Sequence, residues 1–158
     1  MNILTFPNEE LRKVSSDVTV FDDLLKSLVS KLIDRMYSDD GVGIASPQIG
    51  VHRRVVIVDP SAGQDAKQML VMVNPKILTM HGKALSVEGC LSIPGVRGEV
   101  ERSAEVEVEF QTTTGEKQLL KAGGFLSVII QHEVDHLDGV LFVDKIKETR
   151  KLTLRKTG

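Results

Sequence analysis

Between Leu24 and Tyr37 the apolar residues Leu24, Leu25, Leu28, Val29, Leu32, Ile33 and Met36 recur at three- and four-residue intervals. Lys26, Ser27, Lys31, Asp34 and Arg35 fill the opposite face, which is the period of an amphipathic helix. Asp22 or Asp23 caps its start, and Asp39-Asp40-Gly41 ends it. Arg54 to Val58 reads as a buried strand stopped by Asp59-Pro60, and Met69 to Val73 as a second stopped by Asn74-Pro75. Ala84 to Val87 is a short strand. From Ala104 to Phe110 the alternation is strict, with Val106, Val108 and Phe110 on one face and Glu105, Glu107 and Glu109 on the other. That period of two marks a half-exposed antiparallel strand. Thr113-Thr114-Gly115 turns the chain into a further strand over Lys117 to Lys121. Gly123-Gly124 opens a segment, Phe125 to Leu137, that is apolar almost all round, the mark of a helix buried against other elements. Strands grouped between two well-separated helices predict an α+β fold, with antiparallel β-strands packed around the second helix.

Length and composition narrow the class. A chain of 158 residues and 17.4 kDa fits one domain. With 41% apolar and 27% charged residues, neither a disordered nor a collagenous chain is expected. The net charge of −2 carries no bulk basicity that would point to DNA. It hides an asymmetry, because Lys145, Lys147, Arg150, Lys151, Arg155 and Lys156 face Glu148 alone near the end. The chain therefore reads as one domain over residues 1–144 followed by a short basic tail over 145–158, a solvated end or a surface for transient ribosome contact. The first ten residues show no signal- or transit-peptide pattern. The longest apolar run, Phe125 to Ile130, is broken by Ser127, so no membrane partner is expected and a cytoplasmic location is. Cys90 is the one cysteine, so there is no internal disulfide. A lone thiol is first of all a small core hydrophobe.

Polar residues inside the second helix change that reading. Gln131-His132-Glu133-Val134-Asp135-His136 is an HExxH sequence, with its two histidines one turn apart on one face. Two imidazoles so spaced can bind one metal ion, and Glu133 can reach a water at that ion as general base. Unpaired burial of such groups costs several kcal/mol, which disfavours a chance occurrence. A third ligand is still needed. The metzincin extension fails, because Gly139 fits but Phe142 stands where the third His belongs. A thermolysin-like glutamate ligand is not offered either, because the sole Glu downstream is Glu148, in the basic tail. The ligand must come from upstream, and Cys90 in Glu88-Gly89-Cys90-Leu91-Ser92-Ile93-Pro94 is the best candidate. A His₂Cys set leaves a fourth position open, as catalysis requires. His52 and His81 read as ordinary surface histidines. Gly41-Val42-Gly43-Ile44-Ala45-Ser46-Pro47-Gln48 makes a poor phosphate loop, lacking the Gly-Lys-Ser/Thr ending. It fits better as an extended edge that offers main-chain donors to a peptide, with the Gln48 amide available to an oxyanion.

These three segments, in this order, resemble the peptide deformylases, whose GxGxAxxQ, EGCLS and QHExDH segments they match. The resemblance extends to Leu11-Arg12-Lys13-Val14 and Leu141-Phe142-Val143-Asp144 and so covers nearly the whole chain. Ser46 stands where Ala is usual, and the short stretch after Asp144 does not predict the family's long C-terminal helix. The resemblance implies hydrolysis of the N-formyl group of formyl-methionyl nascent peptides, with release of formate. It implies a divalent metal on Cys90, His132 and His136, Fe²⁺ as the usual ion and Zn²⁺ or Ni²⁺ as alternatives. It makes Glu133 the general base, with Gln48 and the backbone N–H of Leu91 stabilising the oxyanion. By position, Val42, Phe125, Val128 and Ile129 would line the methionine pocket, with main-chain contacts from Gly43 and Gly89. Glu88 and Arg97 fall at substrate-side or supporting positions. Two other readings remain at this stage: another HExxH hydrolase such as an endopeptidase, and a metal-stabilised binding protein.

Overall fold

The structure is a computed structural model describing residues 2–146 and 153–154. Helix α1 spans Asp23–Ser38, and the Asp22 carboxylate caps it by accepting from the Leu25 N–H. Strands β1 (Gly43–Ala45), β2 (Val55–Val58), β3 (Leu70–His81), β4 (Ala84–Cys90), β5 (Ile93–Arg102), β6 (Glu105–Gln111) and β7 (Lys117–Gly123) follow. Helix α2 is Gly124–Leu137, and a two-residue β8 lies at Thr153–Leu154. One sheet has the order β1-β2-β3-β6-β7 and the other β4-β5-β8. Every pairing between these strands is antiparallel. The α+β class with antiparallel sheets is thus the observed one.

The apolar run of β2 is continuous because both its faces are buried. Val56 and Val58 join Met72, Val106, Val108 and Phe110 in a core shared with Ile129, Ile130, Val134 and Leu137 of α2. Val55 and Ile57 join Leu25, Leu28, Val29, Leu32 and Met36 of α1 on the other side. Helix α2 thus packs on the large sheet and meets the second sheet through Glu88, Cys90 and Arg102, while that sheet's Ile93 and Val100 pack with Leu11, Leu141 and Phe142. Gly139 closes α2 at φ +73°, and a Cβ there would collide with the Arg12 main chain, so glycine is required by packing.

Three expectations change. The strand ending at Asn74-Pro75 instead runs on to His81. Its register shifts between Val73 and Lys76, a bulge that tolerates a proline without an N–H. Asn74 sits there at φ +50° and bonds the Val18 N–H and C=O and the Gln111 side chain. Strand β4 continues past Val87 to Cys90. Strand β5 has no counterpart in the sequence reading, because Pro94, Gly95 and Gly98 break its alternation. Of the basic tail, residues 147–152 and 155–158 lie outside the described residues, while Thr153 and Leu154 pair with Arg97 and Val96 of β5. Among the described residues no helix is long and apolar enough to cross a membrane.

Candidate metal centre

Helix α2 brings His132 and His136 to one face, with ring centroids 5.0 Å apart. The end of β4 delivers Cys90 to the same point, its Sγ 3.2 Å from His136 Nε2. The candidate ligand atoms of Cys90, His132 and His136 all lie within 4.8 Å of one another. Both imidazoles are buried and Cys90 is half-buried.

One bond fixes which nitrogen of His132 faces the cluster. Its Nδ1 lies 3.0 Å from Glu88 Oε1, and a carboxylate can only accept, so Nδ1 carries a proton and Nε2 is the nitrogen turned to the cluster. Glu88 is held in turn by Arg102, whose Nε and Nη2 donate to its two oxygens at 2.8 and 2.7 Å. Arg102 Nη1 reaches back to Asp135 on α2 at 2.7 Å, and Lys145 lies 3.1 Å from the same carboxylate. Burial pushes the Glu88 carboxyl up, but Arg102 and His132 outweigh it and hold it down to about 2. Burial lowers the basicity of both histidines. At His132 the charge of Glu133 and the side-chain hydrogen bonds to Cys90 and Glu88 outweigh burial and raise it, whereas His136, buried beside His132, stays low.

Glu133 projects beside the cluster, with Oε2 4.0 Å from His132 Nε2. Its Oε1 is buried without a hydrogen-bond partner among the described residues. Burial is the main cause that raises its carboxyl, to about 7. Gly43 makes room for it: a Cβ at that position would come within 2.5 Å of Glu133 Oε2 and 2.9 Å of Ile129 Cγ2. A thiolate and two imidazoles with a free carboxylate oxygen alongside fit a tetrahedral transition-metal ion with one open position.

The cluster lies at the wall of a cavity of about 490 Å³ whose lining is mostly apolar. The structure brings Val42, Gly43, Gln48, Glu88, Gly89, Cys90, Leu91, Arg97, Phe125, Val128, Ile129, His132 and Glu133 to that cavity. His136, the third member of the cluster, is 1% exposed and is not among the lining residues. Phe125 stands at the rim, 55% exposed, and Arg97 is exposed. Although Glu88 borders the cavity, its carboxylate is engaged by His132 and Arg102. Gln48 is buried, and its Oε1 accepts from the Ala45 N–H at 2.8 Å. Arg102, Asp135 and Ser92 escaped the sequence reading. Asp135 carried a signal, an acidic residue within an otherwise apolar helix, whereas Arg102 ends a strand with no alternation to announce it.

An α+β domain with a cysteine–histidine cluster at the wall of a mostly apolar cavity defines a class of metal-site proteins, and the comparisons with known proteins make the class specific. The sequence model of the polypeptide deformylase family matches residues 1–152. A peptide deformylase of Acetivibrio thermocellus is 45% identical over 139 residues, which is 88% of this chain and 79% of that protein. The crystal structure of peptide deformylase from Plasmodium falciparum superposes with a TM-score of 0.90 at 37% identity, covering 94% of this chain and 87% of that one. That of Thermotoga maritima gives 0.86 at 38% identity, covering 92% and 97%. The chain belongs to the peptide deformylase family.

Proposed function

We propose that this protein removes the N-formyl group from formyl-methionyl nascent peptides, releasing formate and a free amino terminus. The observation that carries the reading is the convergence of Cys90, His132 and His136 within 4.8 Å beside Glu133, in a family that performs this hydrolysis. A divalent ion held by Cys90 Sγ and the two Nε2 atoms, Fe²⁺ first and Zn²⁺ or Ni²⁺ as substitutes, would supply Lewis acidity.

The chain's own residues do the rest. Glu133 takes a proton from the attacking water as the new C–O bond forms at the formyl carbon. It then returns that proton to the departing nitrogen as the C–N bond breaks. Gln48 Nε2 and the Leu91 N–H donate to the oxygen that gathers charge between these steps. Val42, Phe125, Val128 and Ile129 give the methionine side chain an apolar seat, and Gly43 and Gly89 let the peptide main chain approach closely. Arg97, exposed at the cavity, faces substrate beyond the methionine. The Glu88 carboxylate acts on His132, keeping Nε2 aimed at the ion.

Residues 1–144 form the catalytic domain. The basic tail, 145–158, offers charge complementarity to ribosomal RNA in a cytoplasmic setting. Removing residues 146–158 is expected to reduce ribosome pelleting at low salt and to leave it unchanged at high salt. Full-length and truncated chains that pellet equally at low salt would remove the tail from this role. Cleavage of internal peptide bonds, the competing reading, has no observation in its favour. Incubating formyl-Met-Ala-Ser with the metal-loaded protein separates the two: formate and intact Met-Ala-Ser support deformylation, and cleavage after Met without formate would sink it.

A further inference from the structure

Gln48 can serve an oxyanion only if its amide is held in one orientation, and the structure shows what holds it. The Ala45 N–H is a donor only, so its bond to Gln48 Oε1 at 2.8 Å decides which end of the amide is oxygen. The NH₂ group is thereby turned the other way, where Nε2 lies 3.1 Å from Ser92 Oγ and 3.7 Å from Cys90 Sγ. Ser92 is fully buried. It occupies one of the two N–H bonds, leaving the second directed at the cluster. Ser92 itself is fixed from outside the site. The Phe6 N–H donates to the Ser92 carbonyl at 2.8 Å, and two residues earlier the Leu4 N–H donates to the Gln48 carbonyl at 2.7 Å. One N-terminal segment thus fastens both partners of a contact that joins the turn after β1 to the turn after β4.

We propose that Ser92, clamped by the main chain of Leu4–Phe6, is a positioning residue that orients the Gln48 amide toward the reacting group. The proposal rests on the reading of Gln48 as an oxyanion donor given above. Neither Ser92 nor the N-terminal segment lines the cavity, so both act through Gln48 and not on substrate.

In the Ni²⁺-loaded protein, Ser92→Ala is expected to lower kcat on formyl-Met-Ala-Ser about 10–100-fold, the usual effect of removing a partner that orients a site residue, with KM unchanged. In the Gln48→Ala background the same substitution should cost nothing further, because two residues acting as one unit do not add. Full kcat in Ser92→Ala, or losses that multiply in the double variant, would overturn the proposal. A second readout needs no turnover. Hydrogen exchange of the Gln48 side-chain amide, followed by ¹⁵N NMR, should be clearly faster in Ser92→Ala than in the wild-type protein, where Ser92 holds one of its N–H groups. Equal rates in the two proteins would overturn the positioning role whatever the activity. Faster exchange in Ser92→Ala, beside a wild-type protein that releases no formate, would uphold the positioning role and reject the deformylase reading instead.

Discussion

Two carboxylates four ångströms or less from the same imidazole ring have different fates, and the difference is what each finds nearby. Glu88 meets the Arg102 guanidinium and the His132 Nδ1–H, so it stays ionised and holds the ring. Glu133 meets apolar walls and Gly43, and one of its oxygens is left without a partner among the described residues. The first is built to hold, the second to exchange a proton. Glu133→Gln is therefore expected to keep metal occupancy near wild type while kcat falls about 10²–10⁴-fold, the range for loss of a general base. Metal analysis alongside formate release checks both halves. Cys90→Ala is expected to lose metal and activity together. Retention of full metal occupancy in Cys90→Ala would refute its place in the ligand set.

At the level of elements, α2 carries both histidines and is locked to the second sheet by a buried chain of charges. Arg102 bridges Glu88 on β4 to Asp135 on α2, and its side chain is only 2% exposed. Removing one partner of such a network strands a buried charge, so Arg102→Ala should destabilise the fold by about 3–5 kcal/mol, measured by denaturant unfolding. Metal affinity should fall as well, because His132 loses its oriented acceptor. A variant as stable as wild type would show that this bridge is dispensable. The sequence displays only half of this arrangement. The period of α1, the alternation of β6 and the HExxH spacing on α2 are legible because each is a local repeat. Strand β5 and the continuation of β3 are not, since Pro75, Pro94 and Gly95 are tolerated only through register shifts that long-range pairing creates. Arg102 lies on β5, so the partner of Glu88 was invisible for the same reason. Cys90 could be selected from the sequence because the chain has one cysteine and the chemistry lacked one ligand. Ser92 could not, as its role exists only once Gln48, 44 residues away, is folded against it.

Over the whole molecule, stability should respond to acid and to metal in ways the structure sets. Burial pushes the Asp59 carboxyl up, but Ser61, Tyr37 and the Ser61 and Gly63 N–H groups outweigh it and hold it below the ordinary value. A depressed folded value means stability that is present above the unfolded carboxylate range, about pH 4, and lost as pH falls through the folded value. Asp59→Asn should be less stable than wild type at pH 7 by about 1–3 kcal/mol, with the gap closing below pH 4. Tyr37 is the alkaline counterpart: burial and Asp59 push its hydroxyl up to about 12. Its contribution is complete below about pH 10, the unfolded value, and lost as pH rises through the folded one. Thermal melts across pH check both limbs. A divalent ion that binds only the folded chain should add about 2.7 kcal/mol at a hundredfold excess over its Kd, and a chelator should remove that increment. In Cys90→Ala the same ion should shift the melt little.

The most direct test is formate release from formyl-Met-Ala-Ser by the purified, Fe²⁺- or Ni²⁺-loaded protein, with metal content measured on the same sample. Near-stoichiometric metal, formate in step with free Met-Ala-Ser, and loss of both products in Glu133→Gln are the predicted result. A fully loaded, folded protein that releases no formate would contradict the assignment of this site to deformylation.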